Sequence, residues 1–150
     1  MSYRDHALEG SSPVDLVVAL YDGILRFLYV AADAVDRNDV QGRREAVKRA
    51  FDIIIHLQAR LRMDVGGSPA KALSEFYASI FAEILKASQS ASRMRFEHAI
   101  ECVRRVRDAW KIVAAGTGST TQSREQSGGL GPILQPAAGA SASEISDWMA

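Results

Sequence analysis

The side chains best suited to metal binding or covalent chemistry are three histidines, His6, His56 and His98, and one cysteine, Cys102. A helical di-iron centre needs Glu-x-x-His pairs, whose spacing turns both ligands to one inward face. No such pair occurs, and the histidines lie in separate segments without a second histidine or carboxylate at ligand spacing. Nucleophilic catalysis needs a Ser or Cys held by a base and an acid, whereas Cys102, between Ile100 and Val103, has the setting of a small packing residue. Neither a P-loop nor a GxGxxG motif is present, and Gly66-Gly67 has the character of a turn. The expectation is a protein without enzymatic activity, cofactor, metal or small-molecule substrate. One signalling alternative stays open: a histidine phosphotransfer-like bundle using His56, although the surrounding IIIHLQARL lacks the glycine and lysine such domains place after their histidine.

The elements that would carry these residues are helices. Pro13 and Pro69 each follow a serine and precede a long apolar-periodic run. Ser at N-cap and Pro at N1 mark a helix start, because the hydroxyl accepts an orphan N–H and proline has none to lose. Helices are therefore expected from about Val14 and Ala70, with Ser12 and Asp15 approaching a capping box. The first stripe is Leu16, Leu20, Ile24, Phe27, Leu28, Ala31 and Val35, ending near Arg37. Asn38 or Asp39 can cap a second helix with the stripe Val47, Phe51, Ile54, Gln58 and Leu61, running to Gly66-Gly67. A third stripe is Leu73, Phe76, Tyr77, Ile80, Ile84 and Ala87; a fourth, after Ser92, is Phe96, Ala99, Val103, Val106, Trp110 and Val113. Four helices with short connections make an all-α, antiparallel four-helix bundle over residues 13–114 the economical fold.

Charge and composition narrow the partners. The 18 Lys and Arg balance 18 Asp and Glu, which excludes a dedicated nucleic-acid binder. A lone cysteine rules out an internal disulfide and fits a reducing compartment. The polar N-terminus has no signal-peptide apolar core, and no uncharged apolar run reaches about 18 residues, so the expected location is the cytosol. From residue 115 to 150 Gly, Ser, Thr, Ala and Pro predominate, the composition of a flexible tail. Its end, SEISDWMA, differs: Ile145, Trp148 and Met149 fall at i, i+3 and i+4, one amphipathic turn.

The apolar content exceeds what a bundle core requires. Ile53, Ile54 and Ile55 together cover about 200° of helix two, against the roughly 100° stripe that faces a core. Phe81 and Leu85 on helix three, with Ile100 and Ile112 on helix four, add to the surplus. Excess apolar surface on a small bundle marks a groove for another helix, with Ile53, Ile55, Phe81, Leu85 and Ile100 as its candidate contacts.

The same chain resembles a known family. Leu8 with Ser11-Ser12-Pro13, then Leu16-Val17, Leu20-Tyr21-Asp22-Gly23 and Arg26-Phe27-Leu28, is similar to the opening of the flagellin export chaperones, the FliS family. Gly66-Gly67 with Ala70 and Leu73 resembles that family's turn into helix three, and Arg107-Asp108-Ala109-Trp110 its helix-four ending. Tyr3 stands where the family carries an N-terminal tyrosine. The resemblance implies a cytoplasmic chaperone that binds the disordered C-terminal segment of flagellin, blocks premature polymerisation and hands its client to a membrane component of the flagellar type III export gate. It also implies that residues 1–12 form a lid over the binding surface, anchored here by Tyr3 and Leu8. When free, the protein is expected to be a monomer or weak dimer.

Overall fold

A serine and a proline set the first helix in register. Ser12 Oγ accepts from the Asp15 N–H at 3.1 Å while Asp15 Oδ2 accepts from the Ser12 N–H at 3.2 Å, so the capping box is complete with aspartate in place of the longer acid. The structure is a computed structural model that describes residues 12–117. These form four helices: α1, Pro13–Asp36; α2, Val40–Ala59; α3, Met63–Gln89; and α4, Arg93–Thr117. No strand occurs among the described residues. The helices alternate in direction around the bundle, and α1 packs most extensively against α2 and α4, with α3 meeting α4 and, least of all, α2. Residues 1–11, including Tyr3 and Leu8, and residues 118–150 lie outside the described residues.

Two hairpins share one design. After α1, Asn38 adopts φ 54°; its N–H reaches Val35 O at 3.1 Å, and the Asp39 N–H reaches Ala34 O at 2.9 Å. After α3, Ala91 adopts φ 46°, with its N–H on Ser88 O at 3.1 Å and the Ser92 N–H on Ala87 O at 3.0 Å. Both are Schellman closures, which satisfy the orphan carbonyls of the departing helix. The last residue of each then caps the arriving helix: Asp39 Oδ1 accepts from Gly42 N–H at 2.8 Å, and Ser92 Oγ from Arg95 N–H at 3.2 Å. One residue thus ends one helix through its N–H and starts the next through its side chain, which forces the tight reversal.

The α2–α3 connection differs from expectation. The second helix ends at Ala59 rather than at Gly66-Gly67, and the turn at 60–62 returns Leu61 to the core although those residues include neither Gly nor Pro. The glycines act one turn later. Gly67 takes φ 55°, ψ −137°, a break between the 63–66 turn and the body of α3. Only glycine reaches that region without strain, and Pro69, lacking an N–H, sits in the first turn of the helix that follows.

The core is one cluster drawn from all four helices, with Tyr21, Tyr77, Phe96, Ile24, Leu28, Leu57, Ile84 and Val103 its largest fully buried side chains. The expected stripes of α3 and α4 hold. On α1 the buried face is rotated toward Val17, Tyr21, Leu25, Leu28 and Ala32, while Leu16, Leu20 and Phe27 are half-buried at its margin. The rotation follows from packing: α1 is covered on both flanks, by α2 and by α4, so its inward direction bisects them. Two arginines on α4 tie it to α1. Arg93 donates to Asp33, Asp36 and Glu97, and Arg107 Nη1 lies 3.0 Å from Asp22 Oδ1.

Ala91 holds a conformation that costs an L-residue roughly 1–2 kcal/mol. Ala91→Gly relieves it, less the extra chain entropy of glycine. The expected outcome is a gain of about 0.5–1 kcal/mol in urea unfolding with an unchanged m-value; a loss of stability would show that Ala91 is not strained.

Candidate functional site

Where α2 and α3 meet least closely, a groove opens. Ile54, Ile55, Gln58 and Ala59 form one wall, Ser74, Tyr77, Ala78 and Phe81 the other, around a volume of about 450 Å³. On each helix these positions follow helical spacing, so both walls present one stripe to the same trough. The alanines leave it wide. Phe81 stacks on Phe51 with centroids 3.9 Å apart, which fixes the ring as a rigid edge. A single polar clasp crosses the trough, Gln58 Nε2 donating to Ser74 Oγ at 2.7 Å.

The floor is tied to the core by a buried polar pair. Tyr77 lines the groove yet is 1% exposed, and its hydroxyl accepts from that of Tyr21, 0% exposed, at 2.8 Å. Burial pushes Tyr77 up to about 12, partly offset by the hydrogen bond it accepts from Tyr21. Tyr21 is raised well above the usual range, chiefly by burial and then by its neighbour Tyr77, with Trp110 opposing.

The candidate contacts read from the sequence fall in three places. Ile55, 56% exposed, and Phe81, half-buried, come together in the α2–α3 groove. Leu85, 41% exposed, continues the Phe81 stripe one turn along α3. Ile53 lies on the other side of α2, in a smaller groove against α1 lined by Ala19, Leu20, Gly23, Arg26, Phe27, Arg49 and Asp52. Residues two apart on a helix diverge by about 200°, so Ile53 and Ile55 cannot line the same trough. Ile100 is a correction: it is 3% exposed and belongs to the core, because Phe96, Ala99, Ile100 and Val103 together form the inward face of α4. Gln58, Ala59, Ser74 and Ala78 are groove residues that apolarity could not reveal; the polar Gln58 within an otherwise apolar stripe was the available signal.

His56 is exposed in the last turn of α2 and His98 is exposed on α4. Among the described residues no group of three or more His, Cys, Asp or Glu side chains could hold a metal ion, and no helix is long and apolar enough to cross a membrane.

A family model described as "Flagellar protein FliS" matches residues 1–117. The chain belongs to the FliS family. Among similar proteins is the flagellar secretion chaperone FliS of Campylobacter jejuni, 32% identical over 112 residues, 75% of this chain and 88% of its own length. That of Vibrio cholerae is 29% identical over 106 residues, 71% and 78% respectively. The Bacillus subtilis chaperone of the same name is 25% identical over 129 residues, 86% and 93%.

The residues that carry the FliS resemblance are structural. Tyr21 bonds to α3, Asp22 pairs with Arg107 on α4, and Gly23 admits α2, since a Cβ there would lie 3.0 Å from Ile53 Cδ1. One turn of α1 thereby registers the other three helices.

The tyrosine pair gives a measurable pH dependence. An unfolded tyrosine ionises near 10 and the folded Tyr77 near about 12, so in that window the native state holds a proton that the unfolded state has lost. Stability is therefore full below pH 10 and falls as pH rises through the window, by about 2–3 kcal/mol for Tyr77 alone. In Tyr77→Phe the alkaline decline should be roughly half as steep, followed by denaturant unfolding at pH 9 to 12; an unchanged slope would remove Tyr77 from the account.

Proposed function

We propose that this FliS-family protein is a cytoplasmic flagellar secretion chaperone that holds the disordered C-terminal segment of flagellin in the α2–α3 groove. The carrying observation is the groove itself, in which Ile55 is open to solvent beside a half-buried Phe81 on a bundle whose core is already closed. Family membership and relatives named flagellar secretion chaperones support the same reading. No catalytic step is required. The chaperone keeps the client from polymerising and delivers it to a membrane component of the type III export gate, with residues 1–12, through Tyr3 and Leu8, covering the groove in the client's absence.

The energetics favour a client that supplies a helix. Ordering a residue costs about 1–2 kcal/mol of backbone entropy, while burying one large aliphatic or aromatic side chain returns about 1.5–3 kcal/mol. A segment folding on the groove therefore needs several anchors spaced i, i+3 or i+4, and i+7 to bind at all. The stripe from Ser74 through Ala78 and Phe81 to Leu85 offers a track of about that length.

Ile55→Glu and Ala78→Arg place charges in the trough at exposed positions. Each should weaken binding of a flagellin C-terminal peptide at least tenfold by calorimetry, with far-UV CD unchanged, whereas Ile100→Glu should unfold the bundle. Undiminished affinity in both groove variants would overturn the assignment of the site.

A further inference from the structure

The second groove, between α1 and α2, has a different chemistry. Leu20, Phe27 and Ile53 supply apolar walls around about 330 Å³, with Ile53 packed close over Gly23. Two cations stand over one ring: the guanidiniums of Arg26 and Arg49 lie 5.2 and 5.9 Å from the Phe27 centroid. Arg49 also pairs with Glu45 at 3.2 Å, and Asp52 adds one carboxylate to the rim. A fitting occupant is a short amphipathic turn with an aromatic side chain and negative charge. Its ring can stack on a guanidinium and its carboxylates can face Arg26 and Arg49.

The chain contains one such turn. Within residues 143–150, Ile145, Trp148 and Met149 fall at i, i+3 and i+4, the spacing that one helical turn would bring to one face, and Glu144 and Asp147 are acidic, without a basic residue. We propose that this segment docks into the α1–α2 groove of its own chain, with Trp148 against the Arg26–Phe27–Arg49 cluster. Reach is ample. α4 ends at Thr117, at the end of the bundle where α1 begins and α2 stops. By helical rise, Gly23 is about 15 Å along α1 from that end and Ile53 about 9 Å along α2. The intervening residues 118–142 can span at most about 80–90 Å. The groove lies across α2 from the one proposed for the client, so docking there leaves Ile55 and Phe81 uncovered.

The test compares the full chain with a chain ending at residue 142 by 15N NMR, and compares acrylamide quenching of Trp148 in the full chain carrying Trp110→Phe with that of a free peptide of residues 143–150. Docking predicts amide shift differences at Gly23, Phe27, Arg49 and Ile53, together with at least twofold protection of Trp148 from acrylamide. Arg26→Glu with Arg49→Glu, both at exposed positions, should abolish both signals while helicity is retained; should that variant unfold, raising NaCl to about 0.5 M on the unmodified chain should weaken them. Shift differences absent, or confined to Ala59, Ala78 and Phe81, would overturn the proposal, as would signals indifferent to both the charge reversal and the salt.

Discussion

Two tyrosine hydroxyls in the centre of the bundle constrain everything around them. Tyr21 and Tyr77 are both buried, and the Tyr21 hydroxyl donates to that of Tyr77; removing either partner leaves a buried hydroxyl unpaired at a cost of about 1–3 kcal/mol. The bond crosses the bundle diagonally from α1 to α3. Diagonal helices in a bundle are ordinarily held apart by whatever core fills the space between them. Here a directional contact fixes their spacing and rotation, while α2 is placed independently against α1 through Gly23. α2 and α3 are thus each positioned largely by other helices and meet one another mainly through the Phe51–Phe81 stack and the Gln58–Ser74 bond, with the trough left between them.

Positioning from elsewhere explains how an apolar groove persists. Two mobile apolar helices would close over it, because burying each large side chain is favourable. Phe81 is braced by Phe51, Tyr77 is held from beneath, and the Gln58–Ser74 bond spans the gap as a strut. Beyond the Phe51–Phe81 stack, the walls leave apolar surface lining the trough.

Periodicity made most of the architecture legible, since a 3.6-residue apolar repeat and two Ser-Pro starts leave little freedom in helix number and direction. The misreadings have specific causes. α2 ends at Ala59 without a breaker residue, because the return of Leu61 to the core outweighs propensity. Ile100 looked surplus only while the inward face of α4 was drawn too narrow. Ile53 and Ile55 looked like one surface because adjacency in sequence conceals divergence on a helix. Half the groove consists of alanine, serine and glutamine, whose contribution is space and hydrogen bonding, neither visible as hydrophobicity. The residues most diagnostic of the family, Tyr21, Asp22 and Gly23, mark the frame that shapes the groove rather than its lining.

The paired hairpin closures have a consequence for how the molecule comes apart. Both three-residue links lie at one end of the bundle, each stapled by two backbone hydrogen bonds and a side-chain cap, and Arg93 adds a cluster of carboxylates there. The other end holds the start of α1, the interrupted α2–α3 connection with its glycine break, and the last turns of α4. The bundle therefore has a hinge side and an opening side, like a book bound along one edge. Amide protons should exchange in a gradient along the axis, fastest near Gly67 and Thr117 and slowest near Ala34 and Ala87. Any helix lying along the α2–α3 trough and pulled from the opening side would peel away turn by turn, a far smaller resistance than shearing the whole contact at once.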